Sequence, residues 1–180
     1  MKVVGFVGPS GAGKTTLMEG VIAGLKAAGQ RVSVVKHAHQ GFEIDHQGKD
    51  SWRHRQAGAF EVVIASQQRL ALLRECEAEE ALNVHQLIAE LVEVDWVLFE
   101  GFKGADLPKI ELLTAGQADS PVYPADPFVV AIAVHGGSTF ADALTQPTHR
   151  PVFSRDDAAG VTALLLQPSR RFDYEPAAHG

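Results

Sequence analysis

Near the start of the chain, the stretch GFVGPSGAGKTT (Gly5 to Thr16) follows the apolar run Val3, Val4, Phe6 and Val7 and contains Gly8-x4-Gly13-Lys14-Thr15. This spacing is that of a phosphate loop, a turn that has to leave a buried strand and open a helix. Gly8, Gly11 and Gly13 allow backbone conformations and close approaches that a Cβ would obstruct, so that successive N–H groups converge on a phosphate. Pro9, Ser10 and Ala12 complete the loop, and the helix that follows adds its partial positive charge. Lys14 has the reach for β- and γ-oxygens, Thr15 offers a hydroxyl suited to Mg2+, and Thr16 is placed for the α-phosphate. Each residue type matches a separate part of a magnesium nucleoside triphosphate.

The rest of the chain supplies the context such a loop needs. Leu17, Val21, Leu25 and Ala28 recur at a four-residue step before Gly29, which predicts a helix over 14–28 with a glycine stop. RVSVV (31–35) reads as a strand. Residues 36–59 are polar, rich in histidine and without sustained periodicity, which predicts a long loop with a short helix near 49–57. EVVIAS (61–66) and RLALLRE (69–75) predict a β-hairpin around Gln67-Gln68, although neither glutamine is a usual turn residue. Asn83 and Gln86 form a capping-box pattern ahead of a helix over 84–93. DWVLFEG (95–101), KIELL (109–113) and FVVAIAV (128–134) read as buried strands, and Asp156 or Asp157 caps a last helix carrying Val161, Leu164 and Leu165. Residues 115–127 read as a surface loop. The expectation is an α/β fold of the P-loop NTPase class, with a mostly parallel sheet, helices on both faces and an added hairpin. It is one nucleotide-binding domain over 1–167, followed by a loosely ordered tail over 168–180.

Composition narrows the partners. The formal net charge is −6, with 16 Lys and Arg scattered along the chain, so no basic footprint for nucleic acid is visible. Cys76 is the single cysteine, which excludes an internal disulfide framework and a thiolate-rich zinc site and fits a reducing, cytoplasmic setting. The first residues enter a glycine turn instead of extending into a signal sequence, and no apolar run of about 18 residues follows, so neither export nor a membrane span is expected.

A phosphate-loop protein also needs a carboxylate at the end of a second buried strand. Glu100, after Trp96-Val97-Leu98-Phe99, fits that position; the readings open to it are magnesium shell, water positioning and strand-end charge. Asp45 and Asp50 in the polar segment are candidates to fold over a γ-phosphate, or are solvated loop charges. His37, His39, His46 and His54 raise a metal site, but their spacing matches no closed zinc motif, so a polar binding surface fits them better. Lys103 and Lys109 flank a loop after Glu100 and are placed to approach phosphate or a second ligand, or are exposed lysines. Arg53 or Arg55 could supply an arginine finger from the same or a neighbouring subunit. No Asn-Lys-x-Asp follows FVVAIAV, where HGGS stands instead, so the residues do not choose guanine over adenine.

Taken together, GPSGAGKTTL (8–17), VVKHAHQGFEIDHQGKDSWRHRQAGA (34–59), VLFEGFK (97–103) and PKIEL (108–112) resemble the molybdopterin-guanine dinucleotide biosynthesis protein B family, MobB, over about two thirds of the chain. The resemblance implies a P-loop fold of the class that includes signal-recognition and metallochaperone GTPases, a homodimer, GTP with Mg2+, and slow intrinsic hydrolysis. It implies a partner as well, the molybdenum cofactor guanylyltransferase that joins GMP to molybdopterin, with direct contact to molybdopterin left open. Carried over residue by residue, Gly8, Gly11, Gly13, Lys14, Thr15 and Thr16 match the phosphate loop, Asp45 and Asp50 the acidic loop positions, and Glu100 with Gly101 the second motif. The candidate catalytic set is then Lys14, Glu100 and Asp50. Thr15, Asp45 and Glu100 are the metal candidates, and Gly101 and Lys103 join the loop as nucleotide contacts. Two other readings compete: a small-molecule kinase, and a metal-delivery GTPase using His37 and His39.

Overall fold

Val3, Val4, Phe6 and Val7 are apolar on both sides of their strand, which suits a position inside a parallel sheet covered on both faces. The computed structural model, which describes residues 1–38, 41–76, 83–114, 121–135, 144 and 146–175, places them there. The strands are β1 (Lys2–Val7), β2 (Val32–Lys36), β3 (Glu61–Ala65), β4 (Leu70–Arg74), β5 (Trp96–Glu100), β6 (Lys109–Leu113), β7 (Val129–Val134) and β8 (Val152–Ser154). The helices are α1 (Lys14–Ala27), α2 (Asp50–Gln56), α3 (Val84–Ala89) and α4 (Ala158–Leu166). Six strands form one parallel sheet in the order β2-β5-β1-β6-β7-β8, and β3 and β4 pair as a separate antiparallel hairpin. This is the predicted mostly parallel α/β architecture with an added hairpin.

The chain divides into two compact units, Met1–His37 with Asn83–Gly180, and Ala38–Leu82. In the first, strand alternation sends Val4, Phe6, Trp96 and Leu98 to one face, where α1 and α4 bury Leu17, Leu25, Val161 and Leu165 against them. Val3, Val97 and Phe99 point the other way, onto Val84 and Ile88 of α3. Asn83 caps α3 with the predicted box, its side chain accepting from the N–H of His85 and Gln86. The helix stops at Ala89, earlier than the expected 93, and Glu93 adopts a left-handed φ of 53° as the chain turns back toward β5.

α1 and α4 pack along a seam that only small residues permit. A Cβ at Gly20 would stand 2.5 Å from the Ala158 Cβ, and one at Gly24 would stand 2.7 Å from the Thr162 Oγ1. Asp157 is the residue that caps α4, accepting from the Gly160 N–H at 2.8 Å. β8 was not anticipated, because three residues after Pro151 carry too little pattern to read.

The tail is also tighter than expected as far as Glu175. Ser169 caps a 3-10 turn at Arg170–Phe172, Phe172 is buried against Trp96 with ring centroids 5.6 Å apart, and Lys2 bridges Asp173. Tyr174 donates its N–H to the Met1 carbonyl at 3.1 Å.

In the second unit, β3 and β4 are joined across Gln67-Gln68 without a glycine. The Ser66 hydroxyl does the work of a turn residue, accepting from the N–H of Arg69 at 3.0 Å and of Gln68 at 3.3 Å. Arg55, on α2, donates to Glu43 at 2.8 Å and to Glu75 at 2.6 Å, and those hydrogen bonds, Glu43's first, raise its pKa. The same bond from Arg55, followed by the Asp45 N–H, holds the Glu43 carboxyl below its usual range.

Candidate phosphate-binding site

The loop between β1 and α1 lies at the carboxyl edge of the parallel sheet, where open α/β folds bind their ligands. Gly8 has φ +146°, and a Cβ there would stand 2.5 Å from the Leu112 carbonyl oxygen, so no other residue fits between β1 and β6. Ala12 is buried and donates its N–H to Pro9 O at 3.3 Å, while Ser10 and Gly11 are exposed at the tip. Gly13, with φ +91°, is the N-cap of α1 and offers no side-chain cap; the first turn holds no acidic residue either. The amino end of a 14-residue helix is thereby presented without a carboxylate of its own first turn to compete for an anion.

Lys14 folds its ammonium over the loop, donating to Gly8 O at 2.9 Å and Pro9 O at 2.7 Å. Partial burial lowers its pKa, Glu100 works against that, and Lys36 adds to it. Thr15 donates its hydroxyl to Glu100 Oε1 at 2.9 Å. Glu100 Oε2 meets Lys36 Nζ at 3.5 Å, because β2 and β5 run parallel with Lys36 and Glu100 in register. The strand-end carboxylate identified from sequence therefore does reach the phosphate loop. A hydroxyl and a carboxylate side by side are the hard oxygen donors that Mg2+ prefers, and Lys36 balances the carboxylate's charge. The residues present fit such an ion.

Immediately after Glu100, the Gly101 N–H donates to Phe6 O at 3.0 Å, which ties the second motif to β1. Phe102 takes a left-handed φ of 56° and sets its ring 5.0 Å from that of His37, whose own N–H donates to Glu100 O at 2.9 Å. His37 is thus packed beside the motif. Among the described residues no three His, Cys, Asp or Glu side chains converge as a metal site, and His39 lies outside those residues.

The two flanking lysines part company. Lys103 is exposed, whereas Lys109 is almost wholly buried. Its ammonium pairs with Asp126 Oδ2 at 2.6 Å and donates to Lys103 O and Ala105 O. The expectation that Lys109 approaches a ligand is corrected, because its charge is spent inside the fold. On the same strand, burial raises the Glu111 carboxyl, although N–H groups of Val122 and Tyr123, each at 2.7 Å, pull the other way.

Asp45 and Asp50 belong to the other unit. Asp45 is nearly enclosed; its Oδ1 accepts from the His46 N–H and the Ser51 hydroxyl, and its Oδ2 lies 3.8 Å from Arg55. Asp50 opens α2 with 91 % of its side chain exposed, 4.0 Å from Arg53. Arg55 is committed to Glu43 and Glu75 and is withdrawn as an arginine finger. His46 and His54 are exposed.

Two neighbours of the loop went unmarked in the sequence: Lys36, and Arg155 on the turn after β8, which packs beside Gly13. Strand register would have found Lys36 once β2 and β5 were known to be adjacent; no local signal marks Arg155. A cleft of about 720 Å³, lined by Asp106, Phe128, His149 and Tyr174 among others, opens at the amino ends of β1, β7 and β8, the edge opposite the loop.

Comparison with known proteins agrees with this geometry. The family model for "Molybdopterin guanine dinucleotide synthesis protein B" matches residues 3–135. A molybdopterin-guanine dinucleotide biosynthesis adapter protein of Haemophilus influenzae is 39% identical over 133 residues, 74% of each chain. The Escherichia coli protein of the same name is 39% identical over 134 residues, covering 73% of this chain and 77% of its own. Among solved structures, Bacillus subtilis MobB superposes with a TM-score of 0.70 at 25% identity, covering 97% of this chain and all of that one. A strand, glycine loop and helix backed by a strand-end glutamate, joined to these matches, show that the chain belongs to the MobB family.

Proposed function

We propose that this chain is a GTP-binding adaptor of molybdenum cofactor biosynthesis. In this reading it binds GTP with Mg2+ at the β1–α1 loop, hydrolyses it slowly, and assists the cytoplasmic guanylylation of molybdopterin in partnership with the molybdenum cofactor guanylyltransferase. The observation that carries the nucleotide part is the 2.9 Å hydrogen bond from Thr15 to Glu100 beside Lys14, which gathers a cation, a hydroxyl and a carboxylate from two strand ends. Thr15 and Glu100 are the residues that would hold Mg2+, which would offset phosphate charge and fix the orientation of the chain of phosphates. Lys14 would bind β- and γ-oxygens, and the loop and the α1 amino end would hold the β-phosphate.

Slow turnover fits the commitment of Arg55, one of the two arginine-finger candidates, to Glu43 and Glu75. Homodimer formation fits the hairpin, where Val63, Ile64, Leu70 and Leu72 are between 45% and 69% exposed. An apolar two-stranded ribbon is marginal alone and gains most by pairing with another chain. The guanine preference and the role in the pathway rest on the family.

Titration calorimetry with GTP, GDP, ATP and molybdopterin, each with and without Mg2+, tests the binding. Tight Mg2+-dependent GTP binding is expected, with ATP weaker. A reconstituted guanylylation assay tests the role: product formation should rise when the chain is added with GTP. A yield indifferent to the chain at every GTP concentration would remove the adaptor reading.

A further inference from the structure

We propose that Arg155 forms one wall of the nucleobase subsite, laying its guanidinium against a purine whose phosphates sit in the β1–α1 loop. The proposal rests on the nucleotide-binding reading above and adds to it the group that meets the base.

Arg155 stands at the carboxyl edge of the sheet, on the turn from β8 to α4. Its N–H donates to Val134 O at 2.8 Å, and the Asp157 N–H closes the turn on Ser154 O at 3.0 Å. The glycine seam between α1 and α4 then draws this turn onto the amino end of α1. There the Arg155 Cδ, Nη1 and Nε lie 3.4, 3.6 and 3.7 Å from the point a Cβ of Gly13 would occupy. A phosphate loop aims its N–H groups at the anion, and its Cβ positions point out of that cradle. Arg155 therefore flanks the cradle. The sugar and base, which extend beyond the phosphates, would pass on this flank, while Lys14, Thr15 and Glu100 would serve the triphosphate end.

The chemistry of the side chain suits a base. A guanidinium is planar and weakly hydrated, and it stacks on aromatic faces. Arg155 is held in place but not spent: its carboxylate neighbour, Asp156, is 3.8 Å away, beyond hydrogen-bond reach, and itself 72% exposed. Arg150 differs, donating Nε to Val129 O and Nη2 to Asp126 O, as does Arg55 with its two glutamates. Position 155 also lies beyond residues 3–135 matched by the family model, so the match does not assign it.

The test compares the wild type with Arg155→Met, which keeps the stem over Gly13 and removes the planar charge. GTP, GDP and inorganic tripolyphosphate compete for the loop against a fluorescent GTP analogue, and 8-azido-GTP photolabelling marks what lies beside the base. The variant should bind GTP and GDP roughly 5- to 30-fold more weakly, by equal factors. Tripolyphosphate affinity should hold within about twofold, hydrolysis at saturation should be unchanged, and the azido label should fall on the peptide spanning residue 155. Equal loss for tripolyphosphate would make Arg155 a phosphate-charge group, and a fall in turnover at unchanged affinity would make it an arginine finger; either overturns the proposal. So would unchanged nucleotide affinity, or label confined to other segments. Lys14→Ala keeps the two failures apart: if it weakens none of the three ligands, the phosphate-loop reading itself falls.

Discussion

The two units place their apolar and charged groups in opposite ways. In the sheet unit, Val4, Phe6, Leu98 and Ile110 are fully enclosed, and the polar chemistry sits at strand ends. In the unit over 38–82, ionic groups are well covered, the Arg55 side chain being 15% exposed and that of Asp45 6%, whereas Val63, Leu70 and Leu72 are exposed on one face of the ribbon. A sheet with helices on both faces completes its own core. A two-stranded ribbon cannot, and it leaves apolar side chains exposed.

The largest test of that contrast is Phe172→Ala. This ring closes the core beneath Trp96, so removing it should cost about 3–5 kcal/mol by chemical denaturation. A loss under 1 kcal/mol would mean that the segment after α4 is an accessory and the sheet unit is complete without it. Lys14→Ala should follow, leaving stability near wild type but weakening GTP by about 100-fold, the scale of a charge-assisted contact to phosphate. Preserved affinity in calorimetry would take the loop out of the nucleotide site.

The hairpin supplies the complementary test. Leu72 is 45% exposed, so a charge there should leave the monomer's stability within about 0.5 kcal/mol if the face meets only water. Leu72→Asp is expected instead to weaken self-association at least about tenfold in sedimentation velocity, because a carboxylate would be buried in the pairing face. An unchanged sedimentation profile would make the outward apolar face a feature of the monomer.

What could be read from the sequence follows how local its cause is. The strand, loop and α1 were legible because spacing within a few residues specifies them, and the capping box at Asn83 for the same reason. Glu100 was legible as a strand-end carboxylate, but its partner Thr15 stands 85 residues away and depends on β1 and β5 being neighbours. Lys109 misled because its counter-charge, Asp126, belongs to a different connection and its alkyl stem reads as polar in any sequence pattern. Arg155 carried no signal at all: it is held by the β7–β8 pairing, through its N–H on Val134 O, and stands at the head of a helix that lies close against α1 at Gly20 and Gly24. The residues that do chemistry at a sheet edge are set by strand order, and strand order is the least local property of the chain.

Glu111 gives the smallest effect and the finest test, since it is, with Lys109, one of two buried charged side chains on β6 in a unit whose core is mostly apolar. It anchors the 122–123 backbone, and Tyr123 in turn exchanges hydrogen bonds with Gln146 through its hydroxyl. Burial raises its carboxyl above the ordinary value of 4.5, so the folded chain holds that proton more tightly than the unfolded chain. The stability this adds is fully present below about pH 4.5 and is lost as pH rises through the raised value. Glu111→Gln cannot titrate and keeps only one acceptor for two N–H groups. The wild type should therefore exceed it by about 1 kcal/mol or more at pH 4, with the gap narrowing toward neutrality. Paired denaturation curves from pH 4 to 8 measure this; a gap that stays constant, or widens with pH, would mean that the two backbone N–H groups outweigh burial and that Glu111 is held as an ordinary carboxylate.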